Sequence, residues 1–250
     1  MAQFQDHFSS HAAHYRAARP LYPKTLFDAL AALTPDHQLA WDAGCGNGQA
    51  SVALTEYFAR VHASDPSAEQ IGNAQPHPRL HYQVAPAERS NLRDASVDLV
   101  TVAQALHWFD VPRFHAQVHR VLKPGGVIAE WCYAHCSALP AVDAVCATLY
   151  SGTLAAYWPP ERAHVETGYA ALEFPFARLS IPELHMCASW NLTQYLAYLE
   201  SWSAVQRFRR ERNSDPLAAL TDDFAGAWGD PRQIREVRWL LSVRVGRRQD

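Results

Sequence analysis

The 250-residue chain has little net charge, no long apolar run and few cysteines, and each shortage excludes something. Lysine and arginine together number 22 against 25 aspartates and glutamates, a net charge of −3. A chain so close to neutral has no general electrostatic pull towards a phosphate backbone or an anionic membrane. No stretch approaches the ~20 apolar residues of a membrane span. The opening residues, Met1 to Phe8, contain no basic segment running into an apolar one, so no signal peptide is expected. Five scattered cysteines make an odd count and no compact disulfide framework, which suits a reducing compartment. The expectation is a cytoplasmic protein with neither nucleic acid nor membrane as partner. What is present is a core: 48% of residues are hydrophobic and 19% charged, a globular composition. Eight Trp and 13 His are the unusual part, and they suit aromatic, polar-tipped pocket walls.

Along the chain, short apolar runs alternate with stretches of helical spacing. Leu39-Ala-Trp41, Val61 to Ser64, Leu80 to Val84, Val97 to Ala103 and Val127 to Trp131 read as strands. Ala50, Leu54, Tyr57 and Phe58 fall at helical spacing after the first of them. Ser67 with Gln70 reads as a capping box. Asp110 and Pro112 open a helix carrying Phe114, Val118, Val121 and Leu122, which Lys123-Pro-Gly-Gly126 ends. Such alternation implies parallel pairing through right-handed crossovers. The fold expected is α/β: a doubly wound, mostly parallel, Rossmann-like sheet with an antiparallel C-terminal strand at Val237 to Val245. Past residue 138 the rhythm loosens. A helix around Val142 to Leu149, a strand from Glu183 to Trp190 and one long helix through Leu192, Tyr195, Leu199 and Trp202 are expected. With no linker or repeat, the chain reads as a single domain: an N-terminal helical lid (1–35), a cofactor-binding core (36–138) and acceptor-pocket elements (139–250).

The chemistry starts at Asp42-Ala-Gly-Cys-Gly-Asn-Gly48, directly after the first strand. In an open α/β sheet, ligands bind at the carboxyl ends of the strands where their order reverses. Gly44, Gly46 and Gly48 are expected to keep side chains out of the way of a ligand there. Asp65, at the end of the second strand, is suited to accept hydrogen bonds from two ribose hydroxyls. A nucleoside-containing cofactor follows. A dinucleotide wants G-x-G-x-x-G with its pyrophosphate on a helix N-terminus. Here the spacing is G-x-G-x-G with the Asp42 carboxylate beside it, which suits an amino-acid ammonium better than a pyrophosphate. S-adenosylmethionine (SAM) carries that ammonium and no phosphate.

These residues resemble the class I SAM-dependent methyltransferases of the type-11 subgroup. The resemblance rests on Trp41 to Gly48, Ser64-Asp65, Ala87-Glu88, Val97-Asp-Leu-Val100 and Val121-Leu-Lys-Pro-Gly-Gly126, in the family's order over residues 39–131. A narrower similarity is to the trans-aconitate methyltransferase-like branch. It rests on Arg19-Pro-Leu-Tyr-Pro23, Ala103 to Phe109, Ser201 to Arg207 and Asp215-Pro-Leu217. The resemblance implies that Gly44, Gly46 and Gly48 line the methionine and ribose and that Asp65 binds the ribose. It implies that Ala87 and Glu88 meet adenine, and that Gln104 and Ala105 face the sulfonium. Members that methylate DNA bases or glutamine have Asn or Asp followed by Pro-Pro at that last position, and Gln104-Ala-Leu-His departs from this. The implied function is methyl transfer to a small-molecule acceptor such as a carboxylate or hydroxyl.

His107, just past the fourth strand, is the candidate base, or else a packed neighbour of Trp108. Trp108 and Phe109 read as pocket wall or core. Tyr15 and Arg19 are candidates to close the site from the N-terminal segment. Arg207, Arg209, Arg210 and Arg212 either attract an anionic substrate or form a solvated helix face. Cys132, His135, Cys136 and Cys146 lack a second matched pair, so no metal is expected. Two other functions stay open at this level. One is an NAD(P)-dependent oxidoreductase. The other is a SAM-binding protein without methyl transfer, since cofactor motifs report binding and not reaction.

Overall fold

A computed structural model describes residues 20–249. Its central feature is a sheet whose first five strands are parallel: β1 (Leu39–Ala43), β2 (Arg60–Asp65), β3 (Leu80–Val84), β4 (Val97–Ala103) and β5 (Leu122–Cys132). The chain winds outward from β1 through β2 to β3, then returns to lay β4 on the other side of β1, with β5 beyond it. The order therefore reverses between β1 and β4, and the crevice this creates lies at their carboxyl ends. β5 is longer than expected. Lys123 to Gly126 belong to the strand, with Gly125 at φ +75° and a register shift opposite β4 between Val97 and Leu99.

Parallel strands need cover on both faces, and the side chains divide accordingly. Val127, Ala129 and Trp131 point to one face, where α1 (Lys24–Leu33) contributes Leu26, Phe27 and Leu30. Trp41, Val100, Val102 and Ile128 point to the other, against Phe114, Val118 and Val121 of α4 (Val111–Val121). The Asp110 side chain accepts from Arg113 N at the start of α4, as expected of its N-cap. Two short helices, α2 (Gln49–Leu54) and α3 (Ala68–Gly72), follow β1 and β2. Ser67 caps α3 by accepting from Gln70 N at 3.2 Å.

The second half of the chain is organised by β9 (Arg235–Arg247). Its last third runs antiparallel to β5 on one side and to β7 (Ala177–Leu179) on the other. Its first half leaves that sheet and pairs with β6 (Cys136–Ser137) and β8 (Leu184–Trp190). Helices α5 (Pro140–Ala147), α6 (Arg162–Glu166), α7 (Leu192–Glu200), α8 (Ser203–Arg212) and α9 (Thr221–Trp228) complete it. The long helix expected from Leu192 is two, because the chain turns at Ser201 and Trp202 before α8 begins. Among the described residues, no helix is long and apolar enough to cross a membrane.

Candidate active site

The glycine turn follows β1 and is tied to the end of β2. Gly44 N and Cys45 N both donate to Ser64 O, at 2.8 and 3.0 Å. Gly44, Gly46 and Gly48 sit at φ +67°, +54° and +86°, the left-handed region that side chains disfavour. The reason for glycine differs along the turn. A Cβ on Gly44 would lie 2.7 Å from Ala105 Cβ, and one on Gly48 would lie 2.1 Å from the Tyr82 hydroxyl. A Cβ on Gly46 would meet only Gln70 Oε1, at 3.8 Å. Room for a ligand was expected at all three, yet the protein's own atoms close in on two and only Gly46 stands over open space.

Two carboxylates flank the turn. Asp65 accepts from Gly46 N and from Ser67 N, both at 2.9 Å, so it shapes the turn as well as ending β2. Asp42 is fully buried and accepts from the hydroxyls of Ser51 (2.5 Å) and Thr101 (2.9 Å). Burial pushes its carboxyl up to about 6, Asp65's charge adds to this, and the two hydroxyls oppose it. Among the described residues, no cation lies within ion-pair distance of Asp42. The carboxylate is held in place with no positive charge to answer it.

Ala87 is buried just beyond β3, and the neighbouring Glu88 accepts from Asp110 N at 2.8 Å, which links that loop to α4. Gln104 is one of four non-glycine residues at positive φ (+56°) among those described. Its backbone N–H donates to Trp131 O, and its side-chain amide both donates to Tyr133 O (3.0 Å) and accepts from Tyr133 N (2.8 Å). The side chain thus extends the β4–β5 ladder by one step and turns the backbone at the crevice. Strained backbone of this kind persists where its surroundings hold it. Gly44, Ala105 and Phe109 close ranks on the far side of that turn. Asp42, the three glycines, Asp65, Gln104 and Ala105 thus converge at the carboxyl ends of β1, β2 and β4.

His107 lies on a short helical turn (Leu106–Trp108), its ring 4.7 Å from that of Trp108. Its Nδ1 is 3.1 Å from the Tyr169 hydroxyl. Burial first, then the charges of Arg162 and His164, push its pKa down to about 3. An imidazole held neutral so firmly is a poor proton acceptor, so the geometry does not favour the expected base. Tyr169 is itself completely buried at φ +64°, following Gly168 at +60°, and its carbonyl receives Arg244 Nη1 at 2.7 Å. Arg244 is anchored on Glu130, whose other oxygen is 2.6 Å from His115 Nε2. A buried ionic cluster across β5 and β9 therefore fixes the tyrosine that meets His107.

Beside this wall stand residues that the motifs did not reveal. Arg162 Nε donates to the Tyr150 hydroxyl at 3.0 Å, and Tyr150 in turn hydrogen-bonds Glu166. Arg162 Nη2 donates to Ala134 O at 3.2 Å, just past the end of β5. The guanidinium carbon is 5.7 Å from the Tyr150 ring centre and 5.1 Å from that of Trp158. His135, Tyr150, Trp158 and Trp202 form one ring cluster, with centroids 4.3–5.7 Å apart. The surplus of Trp and His was the available signal, but it carried no position.

Tyr15 and Arg19 lie outside the described residues. Arg207, Arg209 and Arg212 engage Glu211, Asp215 and Tyr157, which makes them a surface network on α8. The zinc grouping is split: Cys132 packs against Val165 O, and Cys136 lies near Tyr195. Among the described residues, no group of three or more His, Cys, Asp or Glu is placed to hold a metal. The family motifs at Asp98 and Lys123 sit at the opposite, amino edge of the sheet. There Asp98 accepts from Gln38 N and Leu39 N, both at 2.8 Å, and pairs with Lys123 at 2.5 Å.

Comparison with known proteins agrees with this architecture. Residues 41–129 match the methyltransferase domain family. A Dictyostelium discoideum protein described as a methyltransferase is 32% identical over 240 residues, covering 93% of this chain and 91% of its own. A solved structure from Anaeromyxobacter dehalogenans, described as a type II methyltransferase, superposes with a TM-score of 0.87 at 48% identity, over 92% of this chain and 98% of that one. The yeast protein CRG1, described as a SAM-dependent methyltransferase, is 32% identical over 131 residues, covering 49% of this chain and 45% of its own. The chain belongs to the class I SAM-dependent methyltransferases. Its cofactor is S-adenosylmethionine. The turn fits that cofactor: Gly46 has no close neighbour, Asp42 has no cation among the described residues, and the phosphate-free ligand asks for no basic residue beside either.

Proposed function

We propose that this enzyme methylates a small molecule bound where β4 and β5 end, against the wall formed by residues 150–169. The observation that carries the reading is an acid-flanked glycine turn after β1 and an aromatic wall held at the end of β5, two strands along the same edge of the sheet. In this reading Gly44, Gly46 and Gly48 line the methionine and ribose. Asp42 answers the ammonium, and Asp65 takes the ribose hydroxyls. Ala87 and Glu88 meet the adenine, and Gln104 and Ala105 face the sulfur. Residues 36–138 form the cofactor core. Residues 139–250 shape the acceptor pocket together with Trp108.

When bound, SAM supplies a methyl group already activated by the positive charge on its sulfur. What remains for the chain is to hold donor and acceptor in line and to keep water out. Gln104 serves alignment, because its side chain is fastened at both ends of the amide and the turn facing the sulfur is therefore rigid. Trp108, Tyr150 and Trp158 supply the apolar surface that excludes water. His107 keeps its neutral ring on Tyr169 and serves as a hydrogen-bonding group of the pocket rather than a base. An acceptor that needs no base follows: a carboxylate, or a hydroxyl acidic enough to ionise unaided.

The test combines binding with turnover. Thermal-shift titration with SAM, with its demethylated product and with NADH should give stabilisation by the first two only. Isotope-labelled SAM, incubated with a panel of carboxylates, phenols and amines, should then label acids or phenols. Stabilisation by NADH alone would sink the reading. Labelling of amines alone would overturn the choice of acceptor, and binding without any transfer would leave a SAM-binding protein that does not methylate.

A further inference from the structure

We infer that Arg162 is the anchor for an anionic group of the methyl acceptor, at a point separate from the atom that receives the methyl. The inference rests on the reading of the β4–β5 crevice as the acceptor site, and it names the chemistry of the far end of that site.

Among the described residues Arg162, like Arg212, Arg235 and Arg247, hydrogen-bonds only uncharged oxygens, and its helix α6 is the one packed on the Leu106–Trp108 turn that carries His107. Arg207, Arg209, Arg238 and Arg244 each have a carboxylate oxygen within 2.5–2.9 Å. No carboxylate of a described residue lies within 4.0 Å of Arg162. Its two hydrogen bonds go to uncharged oxygens, the Tyr150 hydroxyl and Ala134 O, through Nε and Nη2. These bonds hold the guanidinium in one orientation and leave Nη1 with no hydrogen-bond partner among the described residues. Tyr150 relays the nearest acid, Glu166, without letting it neutralise the arginine. A half-buried guanidinium, fixed in place and unanswered, is the donor set that binds a carboxylate or phosphate.

Its position supports the same conclusion. Ala134 lies two residues past the end of β5, whose neighbour β4 ends at the Gln104 turn. Helix α6 contacts the Leu106–Trp108 turn, and Arg162 lies close enough to His107 for its charge to act on that ring. Trp158 is half-buried and His135 exposed, so the cluster reaches the surface of the described residues. The rings of Tyr150 and Trp158 beside the guanidinium offer apolar area to the ligand's body. A carboxylate clamped by a guanidinium has its charge stabilised and is the weaker nucleophile for it. The anchored group is therefore the handle, and a second oxygen on the same molecule takes the methyl.

The test uses the full chain and matched pairs of small aryl acids and their amides. The pairs are benzoate with benzamide, phenylacetate with phenylacetamide, and 4-hydroxyphenylacetate with its amide. Each is titrated by calorimetry with and without S-adenosylhomocysteine. The wild type should bind at least one acid tenfold or more tightly than its amide. Arg162→Gln should erase that difference while the thermal shift given by S-adenosylhomocysteine stays as in the wild type. Arg162→Lys, which keeps the charge but loses the fork, should retain only part of the preference, and it decides the matter if Arg162→Gln does not fold. The inference falls if no acid is preferred to its amide, or if the preference survives unchanged in a folded variant. A wild type that S-adenosylhomocysteine does not stabilise would instead count against the cofactor site, while the acid-to-amide ratio still judges Arg162.

Discussion

Asp42 and Asp98 are two buried aspartates on adjacent strands, and their surroundings are opposite. Asp98, at the amino edge of the sheet, is 2% exposed and has a full complement of partners: two backbone amides and the Lys123 ammonium. Asp42, near the carboxyl edge, is fully buried and has two hydroxyls and, among the described residues, no cation. A buried carboxylate ordinarily needs its charge paired, and leaving one without a cation is costly. Asp98 therefore reads as scaffold, fastening the start of β1 to β4 and β5. Asp42 reads as a site awaiting a charge that a ligand brings. Both belong to sequence blocks that identify the family, and only their surroundings separate the two roles.

The largest effect that tests this contrast is on stability. Asp98→Ala removes the partner of Lys123 and two amide acceptors, and is expected to cost about 3 kcal/mol in urea unfolding. The cofactor affinity of the folded fraction should be unchanged. If affinity falls as much as stability does, the two edges of the sheet are not separable in this way.

Asp42→Asn should do the reverse. SAM affinity, read by calorimetry, should fall about tenfold or more through loss of a charge-assisted contact worth about 1.5–3 kcal/mol. The pH dependence has a definite sign. The carboxyl is raised from 3.8 to about 6 in the folded protein. The unfolded chain thus gives up this proton at lower pH than the folded one does. Relative to Asp42→Asn, the cofactor-free wild type should lose stability as pH rises from about 4 to about 6 and remain level above that. SAM affinity should weaken in the wild type as pH falls below about 6, because the ammonium loses its partner, and that pH step should be missing in the variant. A variant with wild-type affinity would remove Asp42 from the site.

The glycines give a smaller and sharper test. Gly46→Ala faces open space, so it pays only the left-handed backbone, roughly 1–2 kcal/mol, with its main effect on SAM binding. Gly48→Ala drives a methyl into Tyr82 and should destabilise the apoprotein more. Equal melting temperatures for the two would refute the distinction drawn between them. The smallest effect expected is at His107. With its proton affinity held near 3, the pH–rate profile should show no step near 6.5, and His107→Phe should leave the shape of that profile unaltered. A step near 6.5 that vanishes in the variant would restore the base.

The cofactor edge was legible in the sequence because its signals are local. Gly44, Gly46 and Gly48 follow one strand directly, and Asp65 ends the next. Strand alternation and glycine spacing both act over a few residues, so they survive in a linear reading. The acceptor wall was not legible, because Tyr150, Tyr169 and the five-residue helix opened by Arg162 are brought together and onto the His107 turn only through tertiary contacts. Nothing about Arg162 in the sequence distinguishes it from the arginines of α8; its place beside the end of β5 and the Leu106–Trp108 turn does, and only the fold reveals that. His107 shows the same limit from the other side. Its place after β4 suggested a base, while its proton affinity was decided by burial and by charges some 55 residues further along the chain. The single helix expected from Leu192 failed for a different reason: Leu192, Tyr195, Leu199 and Trp202 keep helical spacing up to a corner that periodicity does not register.

β9 follows every other strand in the chain, yet it is the one that β5, β6, β7 and β8 all pair with. During synthesis those four strands leave the ribosome before their common partner exists. Through that interval β5 presents a bare edge, and Glu130 is buried by no arginine. The loop bearing Tyr169 likewise has nothing to fasten its carbonyl, so the His107 side of the crevice is unformed. The cofactor turn, built on β1 and β2 and braced by Tyr82, Thr101 and Ala105, has no such dependence on β9. The glycine turn thus has its strand partners early in the chain, whereas the Tyr169 side of the crevice acquires its Arg244 clamp only with the last strand.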